Sequence, residues 1–194
     1  MKIWIARHGE TALNAQKLMQ GITDEPLNEK GIEQAERMHE KIKNVHFDAV
    51  YASPLDRAQV TASILSGVDR NKLIIDDRLI EVNFGKYELK KYTALGVKMT
   101  LYYLFQQYLP APKTVEKHEH IVERAKSFLE DLKKNDYENV LIVSHGNLIR
   151  VMYHQLDENP PKTYFKDFPG NCEIRVYEVN ENKSFKTDTI KLED

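Results

Sequence analysis

An α/β fold with a mainly parallel sheet is expected from two features of this 194-residue sequence: short apolar runs spaced far apart, and helical patterns between them. The length suits one core, and no Gly/Ser-rich linker or internal repeat divides the chain. Residues 1–194 are therefore expected to form a single domain.

The first run, residues 2–6, is rich in Ile and Trp, as buried strands are, and residues 47–52 and 139–144 repeat the pattern. Residues 73–75 make a weaker fourth run. Helical patterns occupy 29–43 after Asn28, 56–65 after Pro54, then 121–134 and 148–155. Right-handed crossovers between parallel strands place such helices on both faces of the sheet. Residues 173–179 and 185–189 read as late strands. The stretch 90–109 departs from the alternation: it is dense in Tyr, Leu and Phe, and Pro110 and Pro112 end it sharply. It is expected to form a small helical cap, within an insertion at about residues 86–115.

Lys plus Arg number 28 against 30 Asp plus Glu, so no global field recruits nucleic acid or acidic membranes, and any anion site must be local. The most apolar later stretch, 95–109, is broken by Lys98, Gln106 and Gln107 and falls short of the ~20 residues of a membrane helix. Cys172 is the only cysteine, which excludes an intrachain disulfide framework and a multi-thiolate metal site. With no signal-peptide core ahead of Arg7, a reducing cytoplasm is the expected compartment.

Polar motifs follow the strand candidates. Arg7-His8-Gly9-Glu10-Thr11 follows the first, Ser53-Pro54-Leu55-Asp56-Arg57 the second, Glu81 the 73–75 run, and Ser144-His145-Gly146-Asn147 the 139–144 run. In a parallel sheet the carboxyl ends share one edge, so His8, Arg57, Glu81 and His145 should converge there. Arginines and a histidine offer charge-assisted donors matched to phosphate oxygens, and Asn14 can add a neutral one. Gly146 and Asn147 open a helix, so their amides can also face an anion. The expected ligand is a phosphoryl group. A neutral imidazole is a competent nucleophile toward phosphorus, and no metal is required where cationic side chains spread the equatorial charge. His8 suits the nucleophile and Glu81 the acid that protonates the leaving oxygen.

These residues carry a resemblance. The sequence resembles the histidine phosphatase superfamily, or phosphoglycerate mutase-like family, whose opening Arg-His-Gly-Glu-Thr motif stands here at 7–11. The match runs on through Asn14, Gln20-Gly21, Pro26-Leu27-Asn28, Gly31, Ser53 to Ala58, Leu79 to Glu81 and Val143 to Gly146. The resemblance implies a three-layer α/β/α sandwich, no metal and no other cofactor. It implies a phosphoryl group carried by His8 and held by Arg7, Arg57 and His145, with Glu81 as proton donor. Asn14, Gln20, Gly21 and Ile22 match positions near the phosphate or substrate. Small phosphatases of the family read Gly-x-Trp-Glu-Gly where this chain has Gly85-Lys86-Tyr87-Glu88-Leu89, and the mutases carry an Arg-His-Tyr-Gly stretch and paired arginines that are missing here. The reading is a histidine acid phosphatase-type phosphoric monoester hydrolase acting on a small phosphorylated metabolite. A phosphoglycerate mutase and a non-catalytic phosphate-binding protein are the alternatives.

Glu10 and Glu88 are rival acids near the same edge. His118-x-His120 has metal-like spacing, but the two side chains diverge on a helix and no ligand cluster joins them, so both are expected in solvent. Cys172 lacks the Cys-x5-Arg loop of a thiol phosphatase and reads as structural. The Tyr102, Tyr103, Phe105 and Tyr108 group suits cap core, substrate platform or dimer face, which leaves monomer and homodimer both open.

Overall fold

Among the described residues six strands form one sheet: β1 (Lys2–Arg7), β2 (Ala49–Ala52), β3 (Ile74–Ile75), β4 (Asn139–Ser144), β5 (Ile174–Val179) and β6 (Ser184–Ile190), in the order β3-β2-β4-β1-β5-β6. The computed structural model describes residues 1–158, 160, 168–180 and 183–193, so Asp194, the last residue of the expected domain, lies outside the described residues. The strands β1 to β4 are mutually parallel, while β5 runs antiparallel to β1 and β6 antiparallel to β5. The helices are α1 (Ala12–Ala15), α2 (Glu29–Ile42), α3 (Asp56–Ser66), α4 (Gly96–Phe105), α5 (His118–Leu132) and α6 (Gly146–Leu156).

Period-two alternation sorts the strand residues into two cores. Ile3, Ile5, Val140 and Ile142 point into the core shared with α5 and α6. Ala6, Leu141, Val143 and Val50 point into the other, where Ala35, Met38 and Ile42 of α2 and Ala58, Ala62 and Leu65 of α3 meet them. Each sheet face thus carries its own helix pair, which makes the three-layer α/β/α arrangement.

Local chemistry explains the element ends. The Asn28 side chain accepts from Gly31 N at 2.8 Å and caps α2, and Gly67 ends α3 in the left-handed region at φ 70°. The second strand is shorter than residues 47–52. Phe47 turns out to stack edge-on against Trp4, and the Asp48 carboxylate accepts the amides of Glu138 and Asn139, so ladder pairing begins at Ala49. At residues 85–105, 3₁₀ turns at Gly85–Tyr87 and Tyr92–Ala94 lead into α4. His118 is half-buried at the start of α5, and burial lowers its pKa, contrary to the expectation that it lies in solvent. His120 is exposed and bonds the Glu116 carboxylate at 2.8 Å.

Candidate active site

Strand register brings the motifs level. Arg7 pairs with Ser144 and Ala52 with Val143. Beyond the ladder, His8 N donates to Ser144 O at 3.0 Å and Ser53 N to Val143 O at 3.1 Å, so the three exiting chains stay side by side for another residue. The rings of His8 and His145 then lie 5.1 Å apart.

His8 is 3% exposed, and its Nδ1 lies 2.7 Å from Gly9 O. A carbonyl can only accept, so Nδ1 carries the hydrogen and Nε2 keeps its lone pair. Burial first, then the charges of Arg57 and Arg7, hold the His8 pKa well below its usual value near 6.5. The ring is neutral, with a defined tautomer and a lone pair on Nε2.

His145 is fully buried, and burial with the Arg57 charge depresses its pKa in the same way. Its Nδ1 accepts from Arg57 Nε at 3.2 Å, so Nε2 is the protonated nitrogen and donates to Ser53 Oγ at 2.7 Å. Both ring nitrogens of this expected phosphate ligand are therefore engaged within the protein.

Arg57, 0% exposed, donates Nη1 to Thr23 O at 2.8 Å and Nη2 to Gly21 O at 2.7 Å. One hydrogen on each Nη makes no hydrogen bond among the described residues, and Nη1 also lies 3.8 Å from the Asp24 carboxylate. Burial lowers its pKa to about 10 against the opposing pull of the Glu81, Asp24 and Glu88 carboxylates. Arg7 donates Nη1 to Pro169 O at 2.9 Å, and its Nε is buried without a hydrogen-bond partner among the described residues. Gln20 resembles it: Oε1 accepts from Thr11 Oγ1 at 2.9 Å, while Nε2 is buried and unpartnered among the described residues. Asn14 completes a capping box with Thr11 and accepts from Asn171 Nδ2 at 3.5 Å.

Glu81 lies 5% exposed at the start of α6. Its carboxylate accepts from Val82 N at 2.9 Å, Asn147 N at 3.1 Å and Leu148 N at 3.2 Å. This corrects one expectation: the anion met by the Asn147 amide is the Glu81 side chain, and the Asn147 Oδ1 accepts from Arg150. Gly146 has a different use as well, since a Cβ there would stand 2.6 Å from the Phe168 ring.

The rival acids are accounted for by their partners. Glu10 accepts from Asn28 and Lys30 at 3.0 and 3.1 Å. Glu88 accepts from Ile22 N, Thr23 N, Thr23 Oγ1 and Phe84 N at 3.2, 2.8, 2.5 and 3.1 Å. Glu88 thereby fastens the 21–24 loop whose carbonyls hold Arg57, and a Cβ on Gly21 would meet its Oε1 at 2.4 Å. The Ile22 amide is committed to this bond, and its side chain is exposed. Cys172 is buried, and burial pushes its thiol up to about 12, in keeping with a structural role.

Sequence patterning does not single out Phe168 or Asn171, which precede β5. The Phe168 ring stacks 4.9 Å from the Arg7 guanidinium, and Asn171 donates to His8 O at 3.0 Å. Beside them opens a cavity of about 540 Å³. Arg7, Asn14, Lys17, Thr100 and Asn171 supply polar groups to it, and Tyr92, Leu95, Tyr103, Leu104 and Phe168 supply apolar and aromatic surface. Among the described residues no cluster of three or more His, Cys, Asp or Glu side chains could hold a metal ion, and no helix is long and apolar enough to cross a membrane.

Comparison with known proteins agrees with this geometry. The family described as histidine phosphatase superfamily (branch 1) matches residues 3–190. The adenosylcobalamin/alpha-ribazole phosphatase of Escherichia coli (strain K12) is 31% identical over 162 residues, covering 80% of this chain and 79% of that protein. Phosphoserine phosphatase 1 of Hydrogenobacter thermophilus is 28% identical over 166 residues, with 79% and 74% covered. The crystal structure of the alpha-ribazole phosphatase from Shigella flexneri superposes with a TM-score of 0.84 at 27% identity, covering 100% of both chains.

Proposed function

The chain belongs to the histidine phosphatase superfamily as a phosphoric monoester hydrolase, and from that premise we propose that it works through a phosphohistidine on His8 without a metal. The observation that carries this reading is the His8 ring itself: neutral, buried, and with Nδ1 tied to Gly9 O so that Nε2 holds the lone pair. In the first step Nε2 attacks phosphorus, the bond to the leaving oxygen breaks, and Glu81 gives that oxygen its proton. In the second, water attacks the phosphohistidine, Glu81 takes a proton from it, and phosphate leaves with His8 neutral again. Arg7 and Arg57 spread the charge of the transferring group, aided by the buried donors Arg7 Nε and Gln20 Nε2. His145 orients Arg57 through its Nδ1 and adds no charge of its own.

On this reading residues 86–115 are a cap that shapes the leaving-group side, supported by Tyr92, Leu95 and Tyr103 at the cavity. The aromatic and apolar side of the lining favours a phosphomonoester whose leaving group carries apolar or aromatic surface, and Lys17 on the same cavity offers a cation to any acidic group it bears. Cys172, buried and the only cysteine, is compatible with a reducing cytoplasm as the working compartment. The relatives named above are phosphatases, so a mutase and a non-catalytic binder are not favoured.

The test is phosphate release from a panel of monoesters in the presence of chelator, by the parent protein and by His8→Ala, with 3-phosphoglycerate isomerisation followed alongside. Release in chelator that vanishes in the variant is expected. Release that needs a divalent ion, or survives in His8→Ala, overturns the mechanism, and isomerisation without release overturns the hydrolase.

A further inference from the structure

Glu81 sits where no strand holds it. It comes after the two-residue strand β3 and a 3₁₀ turn at Asp77–Leu79, in a segment with no ladder of its own. A group that must hand a proton to a leaving oxygen needs its position held to within a fraction of an ångström. Its carboxylate bonds backbone amides, but those bonds leave open what holds the segment itself.

We propose that the Arg124–Glu116 ion pair is the device that positions Glu81, an inference that rests on the reading of Glu81 as proton donor. Arg124 on α5 is 8% exposed and donates Nη1 to two carbonyls just before the acid, Arg78 O at 2.7 Å and Ile80 O at 2.6 Å. Its Nε and Nη2 donate to the two carboxylate oxygens of Glu116 at 2.9 and 3.3 Å. Glu116 in turn grips the chain just after the acid: its Oε2 accepts from Asn83 N at 3.2 Å, and its own amide donates to Asn83 O at 2.8 Å. One forked pair therefore brackets Glu81, from Arg78 and Ile80 on one side to Asn83 on the other. A third anchor comes from the opposite direction, since Ser144 Oγ donates to Leu79 O at 2.8 Å beside the motif that carries His145. Lysine cannot replace this arrangement, because a single ammonium lacks the planar fork that reaches two carbonyls and a carboxylate together.

Arg124 and Glu116 are positioning residues in this scheme. A misplaced acid hurts substrates in proportion to how much the leaving oxygen needs a proton, whereas general damage to the fold does not discriminate. The experiment therefore compares kcat/KM, which reports the first phosphoryl transfer, for a primary alkyl phosphate and for nitrophenyl phosphate, whose leaving group departs as a stable anion. Arg124→Lys is expected to lower kcat/KM for the alkyl ester by about 10- to 100-fold and for the nitrophenyl ester by no more than about threefold. Glu81→Gln should show the same selectivity with a larger loss, and adding Arg124→Lys to it should cost nothing further for the alkyl ester. Because losing one partner of a buried pair can unfold a protein, Glu116→Gln, which keeps the shape, is tested in parallel and should show the same selectivity in weaker form. Equal losses on both esters in the Arg124 and Glu116 variants, or additive losses in the double variant, overturn the proposal while Glu81→Gln still discriminates. If Glu81→Gln itself treats the two esters alike, the assignment of the acid fails and the positioning role fails with it.

Discussion

Replacing Glu88 by Gln probes the device that holds Arg57. The carboxylate accepts four bonds, from the amides of Ile22, Thr23 and Phe84 and from the Thr23 hydroxyl, between 2.5 and 3.2 Å. Glutamine keeps one accepting oxygen. If that oxygen stays on Thr23, its amide group confronts the N–H groups of Ile22 and Phe84, donor against donor. The Ile22 amide is exposed enough to turn to water, but Phe84 is buried at 2%, so one buried amide loses its acceptor. An unsatisfied buried amide costs about 1–3 kcal/mol, and the two bonds that survive lose their charge assistance, for a sum of about 2–3 kcal/mol. For a chain of this size that is a fall in Tm of about 5–10 °C. The loop it fastens supplies Gly21 O and Thr23 O to Arg57, so kcat/KM should fall about tenfold for alkyl and nitrophenyl phosphates alike. Thermal denaturation and steady-state kinetics on the two esters read both effects. A stability loss under about 0.5 kcal/mol with unchanged kinetics would refute the reasoning, since a bond to a charged group is worth more than that. A loss confined to the alkyl ester would make Glu88, in place of Glu81, the proton donor.

Two further outcomes follow from the same geometry. His8 and His145 are held neutral with depressed pKa values, so below about pH 6.5 the unfolded chain takes up protons that the folded chain refuses; stability is complete above that pH and falls as pH drops, by at most about 1.4 kcal/mol per pH unit for each ring. Urea denaturation between about pH 6.5 and 5 should show His8→Asn with a visibly shallower pH slope than the parent, and an identical slope would show that His8 titrates normally in the fold. In Gly21→Ala the new methyl meets the Glu88 carboxylate and, at 2.7 Å, Val82 O, so the loop whose Gly21 O holds Arg57 must shift. A loss of at least about tenfold in kcat/KM is expected, and activity within twofold of the parent would show that the loop carbonyls do not position Arg57.

Motif spacing made the edge of the sheet legible, because parallel strands carry the residues that follow them to one side: the residues after β1, β2 and β4 meet there as expected. The same rule hides Phe168 and Asn171. They precede an antiparallel strand, and β5 brings its start, not its end, to the edge where β1 finishes. A sequence pattern marks a strand without marking its direction, so the residues ahead of β5 carry no signal that they face His8. A second gap lies in hydrogen-bond partners. Arg57, His145 and Asn147 stand where their motifs placed them, yet Arg57 is partly committed to the 21–24 loop, His145 bonds at both nitrogens, and the Asn147 amide serves Glu81. Residue type states what a group can donate or accept, while only the fold states what has already been taken. Arg124 is the sharpest instance. It falls on the buried stripe of α5 beside Ile121, Ala125 and Phe128, where an arginine in a helical pattern reads as an interruption of the core. Its meaning comes from carbonyls of residues 78 and 80, more than forty positions away in the chain, and those become partners only once α5 packs against the segment that carries Glu81.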